Sequence, residues 1–228
     1  FVIDELANFA ISLLSGHIGG ANDLTVNLAR FLGAMPIITT ATDVNGVFAI
    51  DAWAAKSGLK IANPERIKWV SARLLAGEKI GIKCSFPVVG RLPEDIQLCD
   101  KGGDILITYR TRGREEALKL VPPVITLGIG CKKGVTTESI EWAYDLMLKK
   151  SSCHPLSIAR VCSIDLKERE PSILEFCRIH SLPYNTFSAQ ELMAVPGIFT
   201  ASAFVKQVTG VDNVCERSAV LGSGEGGR

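Results

Sequence analysis

Apolar positions along this chain follow two rhythms, short β-type runs and longer stretches at helical spacing, and the two alternate. Phe1 to Leu14 contains two apolar runs around Glu5 to Asn8, consistent with strands or one bent strand, and the second, Phe9 to Leu14, reads as a buried strand. Ala21, Leu24, Leu28 and Phe31/Leu32 then recur with the period of a helix, which Gly33 caps and Pro36 forbids from continuing. Ile37-Ile38-Thr39-Thr40 is β-branched and short enough for a parallel strand. Strand, helix and strand in that order predict a βαβ unit whose crevice opens at the carboxyl ends of the strands.

Further on, Phe48 to Ala55 is a short apolar patch containing Trp53, and Asn63 caps a helix that Pro64 opens and that runs through Ile67, Val70 and Leu74 to Gly77. Short β-type runs follow at Ile80 to Ile82 and Asp104 to Tyr109. Pro122-Pro123 is a stiff junction. Beyond it the opening design repeats, as Val124 to Gly130 runs into a glycine turn and Thr136 or Thr137 begins a helix with Ile140, Ala143, Tyr144 and Met147. Ile158 to Ile164 reads as strand, Pro171 to Ile179 as helix, Tyr184 to Phe187 as strand, and Ser188 to Glu191 has the form of a capping box. Thr200 to Val208 reads as helix ending at Gly210. Val214 to Leu221 leads into Gly222 to Gly227, either a third glycine-rich ligand loop or a flexible connection. The pattern predicts an α/β protein: two Rossmann-like α/β domains with mainly parallel sheets, residues 1–53 and 123–228, joined by a small α+β middle domain, residues 54–122.

Composition narrows the function classes. The 228 residues are 47% hydrophobic, enough to fill real cores, and 25 Lys+Arg against 24 Asp+Glu give a net charge of +1 with no global field for nucleic acid or anionic membrane. No stretch has the length and apolarity of a membrane-spanning helix. Seven cysteines without a C-x-x-C point to reduced thiols in the cytoplasm rather than to a disulfide framework or a zinc site, and no metal site is expected from Cys153-His154. The chain opens at Phe1 without Met and stops within a glycine run, so it reads as a fragment short at both ends.

Candidate chemistry gathers where strands break into glycine. In Leu13-Leu14-Ser15-Gly16-His17-Ile18-Gly19-Gly20-Ala21-Asn22 the backbone can approach a ligand closely, Asn22 or Asp23 can cap the following helix, and N–H groups face the crevice. His17 titrates near neutral pH at that strand end, and Asp43 after Thr40 is a second polar group there; a solvated or capping His and a turn Asp are the plainer readings. Gly128, Gly130, Lys132, Lys133 and Gly134 form the matching turn of the second half, where two ammonium groups join the helix N–H donors and suit acidic ligand groups. The G-x-G spacing lacks the full dinucleotide fingerprint. Arg110, Arg112 and Arg114 would share one face of an extended segment and could grip carboxylates, or form a solvated loop.

Taken together, Ser15 to Leu24, Ile38-Thr39-Thr40-Ala41-Thr42-Asp43 and Leu127-Gly128-Ile129-Gly130-Cys131-Lys132-Lys133-Gly134 resemble the cobalamin-biosynthesis protein G family, in the family's order and across most of the chain. The resemblance implies a cobalt-precorrin-5A hydrolase, which opens the δ-lactone of a cobalt tetrapyrrole and releases acetaldehyde to leave cobalt-precorrin-5B. Cobalt would be carried by the substrate, with no cofactor of the protein's own. His17 and Asp43 are then the expected catalytic residues. Ser15, Gly19, Gly20, Asn22, Thr40, Gly128, Gly130, Lys132, Lys133, Gly134, Thr136 and Glu138 are the expected substrate-binding ones. The expected partner is cobalt-precorrin-5A, with transient contacts to neighbouring pathway enzymes and none to nucleic acid or membrane. A non-catalytic corrinoid-binding module and a nucleotide-binding α/β domain are the alternatives.

Overall fold

The computed structural model describes residues 1–13, 20–38 and 48–224. The chain divides into two compact units, residues 1–108 with 113–122, and residues 109–112 with 123–228. Both are mixed α/β with parallel strand pairs. Among the described residues no helix is long and apolar enough to cross a membrane.

In the first unit, β1 (Val2–Ile3) turns antiparallel onto β2 (Phe9–Ser12), which pairs parallel with β3 (Met35–Ile38) in the register Phe9↔Met35 to Ser12↔Ile38. Helix α1 (Ala21–Leu32) makes the crossover, and Gly33 at φ 69° ends it as its spacing predicts, returning its N–H to the Ala29 carbonyl. Two expectations change here. β2 is half buried rather than buried: Ala10 and Ser12 point inward while Phe9 and Leu13 are exposed. Neither Asn22 nor Asp23 caps α1, because left-handed Gly20 occupies the N-cap. Asn22 sits two residues past the N-cap and is buried against β2, where its side-chain oxygen accepts from Ser12 Oγ at 2.7 Å.

Five strands form the second sheet of this unit: β4 (Lys60–Ile61), β5 (Ile80–Cys84), β6 (Ile96–Leu98), β7 (Ile105–Ile107) and β8 (Leu118–Val121). Their order is β4-β8-β7-β5-β6, all parallel except the edge strand β4. Helices α2 (Ile50–Lys56) and α3 (Ile67–Leu75) place Ile50, Ala54, Val70 and Leu74 against Ile80, Ile82, Ile105 and Leu118 in one core. Asn63 precedes a 3-10 turn at Pro64–Arg66 but does not cap it. Its amide instead bridges to the β8 edge, donating to the Ala117 carbonyl at 2.9 Å and accepting from the Lys119 N–H at 2.7 Å.

The second unit is built on β9 (Ile125–Gly128), β10 (Ile158–Ile164) and β11 (Tyr184–Phe187), all parallel in the order β11-β10-β9. Alternation along β10 divides its neighbours. Val161 packs with Ile140 and Tyr144 of α4 (Thr137–Ser151) and Ile173 and Phe176 of α5 (Pro171–Ile179). Ile164 joins Leu192 of α6 (Ala189–Ala194), Val211 and Val214. Ser188 and Glu191 form the expected capping box on α6. Helix α7 (Ala203–Thr209) starts later than its sequence suggests because the Ser202 hydroxyl accepts from the Val205 N–H and caps it there.

The largest departure is α8 (Val214–Ser223), a helix that includes the first glycine of the supposed loop. Gly222 lies against β10 and Gly128 lies under the first turn of α8; a Cβ on either would come closer than 3.0 Å to Cys162 Sγ and the Cys215 carbonyl respectively. Gly128→Ala therefore meets rigid backbone, and we expect it to destabilise the fold by about 2–3 kcal/mol or more. Gly222→Ala meets a side chain, so Cys162→Ala should recover part of its loss in a double-mutant cycle read by urea unfolding. Additive losses in that cycle would refute the direct Gly222–Cys162 contact.

Candidate functional site

A cavity of about 1180 Å³ opens at the carboxyl ends of β9 and β10. The sheet register brings Gly128 beside Cys162, and the Ile129 N–H donates to the Cys162 carbonyl while Ser163 Oγ donates to the Ile129 carbonyl at 2.7 Å. These bonds anchor the chain as it leaves β9. From there Gly130 to Gly134 form one wall, and Leu166, Lys167, Arg169 and Glu170, between β10 and α5, form the next. The third wall comes from residues 200–216, with Phe204, Val205 and Val208 apolar and Asp212, Asn213 and Glu216 polar.

Each wall is held by its own bonds. Glu170 is buried and accepts the Gly134 N–H at 3.0 Å with one oxygen and Lys167 Nζ at 2.8 Å with the other. The Lys167 ammonium, helped by the Gly134 N–H and by Lys133, holds the Glu170 carboxyl below its usual range against the opposing effect of desolvation. On the far side, Glu216 accepts the Thr200 N–H at 3.1 Å, and Asn213 donates to the Thr200 carbonyl at 2.9 Å while capping α8 at the Glu216 N–H. Buried Arg217 pairs with Asp212 at 2.7 Å, donates to the Leu192 and Val195 carbonyls and lies over the Phe199 ring. Burial pushes the Cys131 thiol up at the cavity edge, and Cys162 and Cys177 deeper in are pushed up to about 11. All seven cysteines are free. Among the described residues no group of three or more His, Cys, Asp or Glu is placed to hold a metal ion.

Of the residues singled out from sequence, Gly130, Lys132, Lys133 and Gly134 line the cavity together. Gly128 is covered by α8, Thr136 caps α4 by accepting the Ser139 N–H, and Glu138 is exposed on the first turn of α4. Gly20 and Asn22 begin α1. Ser15, His17, Gly19, Thr40 and Asp43 lie outside the described residues. Arg110 packs on Tyr109 and Arg114 pairs with Glu116; neither lines the cavity. His154 accepts the Leu156 N–H and caps a 3-10 turn. Sequence reading missed Lys167, Arg169 and Glu170, although Lys167-Glu168-Arg169-Glu170 occupies the same strand-to-helix position as Lys132-Lys133.

The depressed Glu170 carboxyl has a pH signature. A group with a lowered folded-state pKa contributes stability that is complete above its unfolded value and is lost as pH falls through the folded one. Wild type should lose stability relative to Glu170→Gln as pH drops below 4.5, the carboxyl's ordinary value, in urea titrations from neutral pH downward. Parallel pH profiles would show that Glu170 is not held ionised.

Comparison with known proteins places these features. The family profile described as Cobalamin synthesis G N-terminal matches residues 1–43, and that described as Cobalamin synthesis G C-terminus matches residues 125–227. The chain is 33% identical to a cobalt-precorrin-5A hydrolase of Salmonella typhimurium over 96% of its own length and 67% of that protein's. It is 31% identical to a cobalt-precorrin-5A hydrolase of Priestia megaterium over 98% of its length and 65% of that protein's. A solved cobalamin biosynthesis protein G homologue from Sulfolobus solfataricus is 26% identical, with a TM-score of 0.38, over 98% of this chain and 66% of the other. The chain thus spans about two thirds of the length of these relatives. It belongs to the cobalamin synthesis G family.

Proposed function

We propose that this chain carries the cobalt-precorrin-5A hydrolase activity for which its relatives are named. The observation that carries the reading is 33% identity along 96% of the chain to a protein of that activity. The substrate is then a cobalt tetrapyrrole that brings its own metal, so no resident cofactor is required. We read residues 1–53 and 123–228 as Rossmann-like halves flanking a middle domain, in a cytoplasmic protein whose free thiols suit a reducing compartment.

Lactone opening needs a base to activate water and donors for the tetrahedral oxyanion. In this reading His17 is the base, Asp43 orients it or acts in its place, and the backbone from Gly19 to Asn22 supplies donors, with Ser15 and Thr40 beside them. Opening frees a hydroxyl. Its deprotonation drives a retro-aldol-like cleavage in which the carbon–carbon electrons pass to the macrocycle and acetaldehyde leaves. The peripheral carboxylates suit the cavity of the second unit, where Gly130, Lys132, Lys133 and Gly134 are joined by Arg169, while apolar Phe204, Val205 and Val208 suit a flat ring. Gly128, Thr136 and Glu138, also expected to bind substrate, lie outside the lining of that cavity.

Acetaldehyde release from anaerobically prepared cobalt-precorrin-5A tests the reading. His17→Ala should bind the pigment but lose about 10²- to 10⁴-fold in turnover, the usual contribution of a general base. Lys132→Met with Lys133→Met should raise KM about tenfold and leave kcat nearly unchanged, the pattern of lost uniform binding. A wild-type protein that binds pigment without yielding aldehyde above the buffer rate would replace the enzyme by a corrinoid-binding module.

A further inference from the structure

We propose that Glu170 is a positioning residue: its buried carboxylate fixes the Lys132-Lys133-Gly134 turn and withdraws Lys167 from the ligand, so that the cavity offers polycarboxylates a preset cationic edge. This rests on the reading that the cavity receives carboxylates.

A carboxylate this buried is tolerated only when hydrogen bonds replace its water. Glu170 divides that task between two elements. One oxygen takes the N–H of Gly134, the left-handed residue (φ 72°) at which the lysine turn bends toward α4, and the other takes Lys167. The residue is itself rigidly mounted, because its carbonyl accepts the Ile173 and Leu174 N–H groups at 3.1 Å and so begins α5. A turn tied to a helix start cannot swing freely. Lys167 is paired and its side chain is only 14% exposed, which removes one charge from the ligand's reach. Lys132, Lys133 and Arg169 are exposed and, among the described residues, have no ion pair. The charges presented are therefore on the turn that Glu170 holds and on the residue just before it.

The test uses uroporphyrin, a polycarboxylate tetrapyrrole without cobalt, as fluorescent probe, together with amide exchange at Gly134 and thermal unfolding. Glu170→Ala should speed Gly134 exchange and weaken uroporphyrin, each about tenfold, as expected for loss of one charge-assisted hydrogen bond. Glu170→Gln keeps a carbonyl for the Gly134 N–H but repels Lys167. It should restore exchange protection and bind uroporphyrin at least as tightly as wild type, with steeper salt dependence from the released ammonium. Lys167→Met alone would strand the buried Glu170 carboxylate, so the pair is removed as a whole: Lys167→Met with Glu170→Gln should leave uroporphyrin affinity within about twofold of wild type, whereas Lys132→Met should not. Unchanged Gly134 exchange in a folded Glu170→Ala overturns the proposal, as does the Lys167→Met, Glu170→Gln double variant weakening the probe as much as Lys132→Met. Wild type failing to bind uroporphyrin would instead overturn the carboxylate reading of the cavity, and the exchange measurement would still decide whether Glu170 holds the turn.

Discussion

The second unit depends on how closely α8 can lie on its parallel sheet. Two glycines permit that approach from opposite sides, Gly128 in the strand beneath the Cys215 carbonyl and Gly222 in the helix above Cys162. Dispersion attraction falls steeply with separation, so even a small lift of the helix would forfeit much of this contact. The same helix begins with Asn213 to Glu216, part of the cavity's third wall, and carries Arg217, which ties Asp212 to the carbonyls of Leu192 and Val195. Cavity shape and core packing are in this way one constraint.

Charge is arranged around that constraint rather than within it. The sheet core is apolar, and the ionised groups collect beyond the strand ends, where the polar ends of α5 and α8 also meet the cavity. Cations stand on the turns after β9 and β10, whereas Asp212 and Glu216 stand opposite and are occupied by Arg217 and the Thr200 N–H. Apolar Phe204, Val205 and Val208 on the wall that faces the cations favour a flat ligand with acidic groups along one edge.

Much of the fold was legible because Pro and Gly punctuate clean periodicities. Ile158–Ile164, Pro171–Ile179 and Tyr184–Phe187 have the same limits in the structure as in the hydrophobic pattern, and Gly33 and Gly210 end their helices where expected. The failures share a cause, which is that a residue's local propensity was overridden by a partner distant in sequence. Gly222 resembles a loop glycine until β10 is placed beneath it, and Asn63 resembles a cap until β8 offers it two backbone partners. At the site, the lysine turn could be found because it repeats the strand-to-glycine pattern of the first half. Glu170 could not, since a mixed charge run looks solvated and its partner Gly134 lies 36 residues away.

Close packing of α8 also has a consequence for thiol chemistry. Cys162 is sealed beneath Gly222 and Cys177 lies in the α5 core, and burial holds both thiols near 11, where almost no thiolate exists at neutral pH. Alkylating reagents can reach them only when the layers part. The two side chains are thus natural clocks for the opening of this half of the protein, already installed on opposite sides of its sheet.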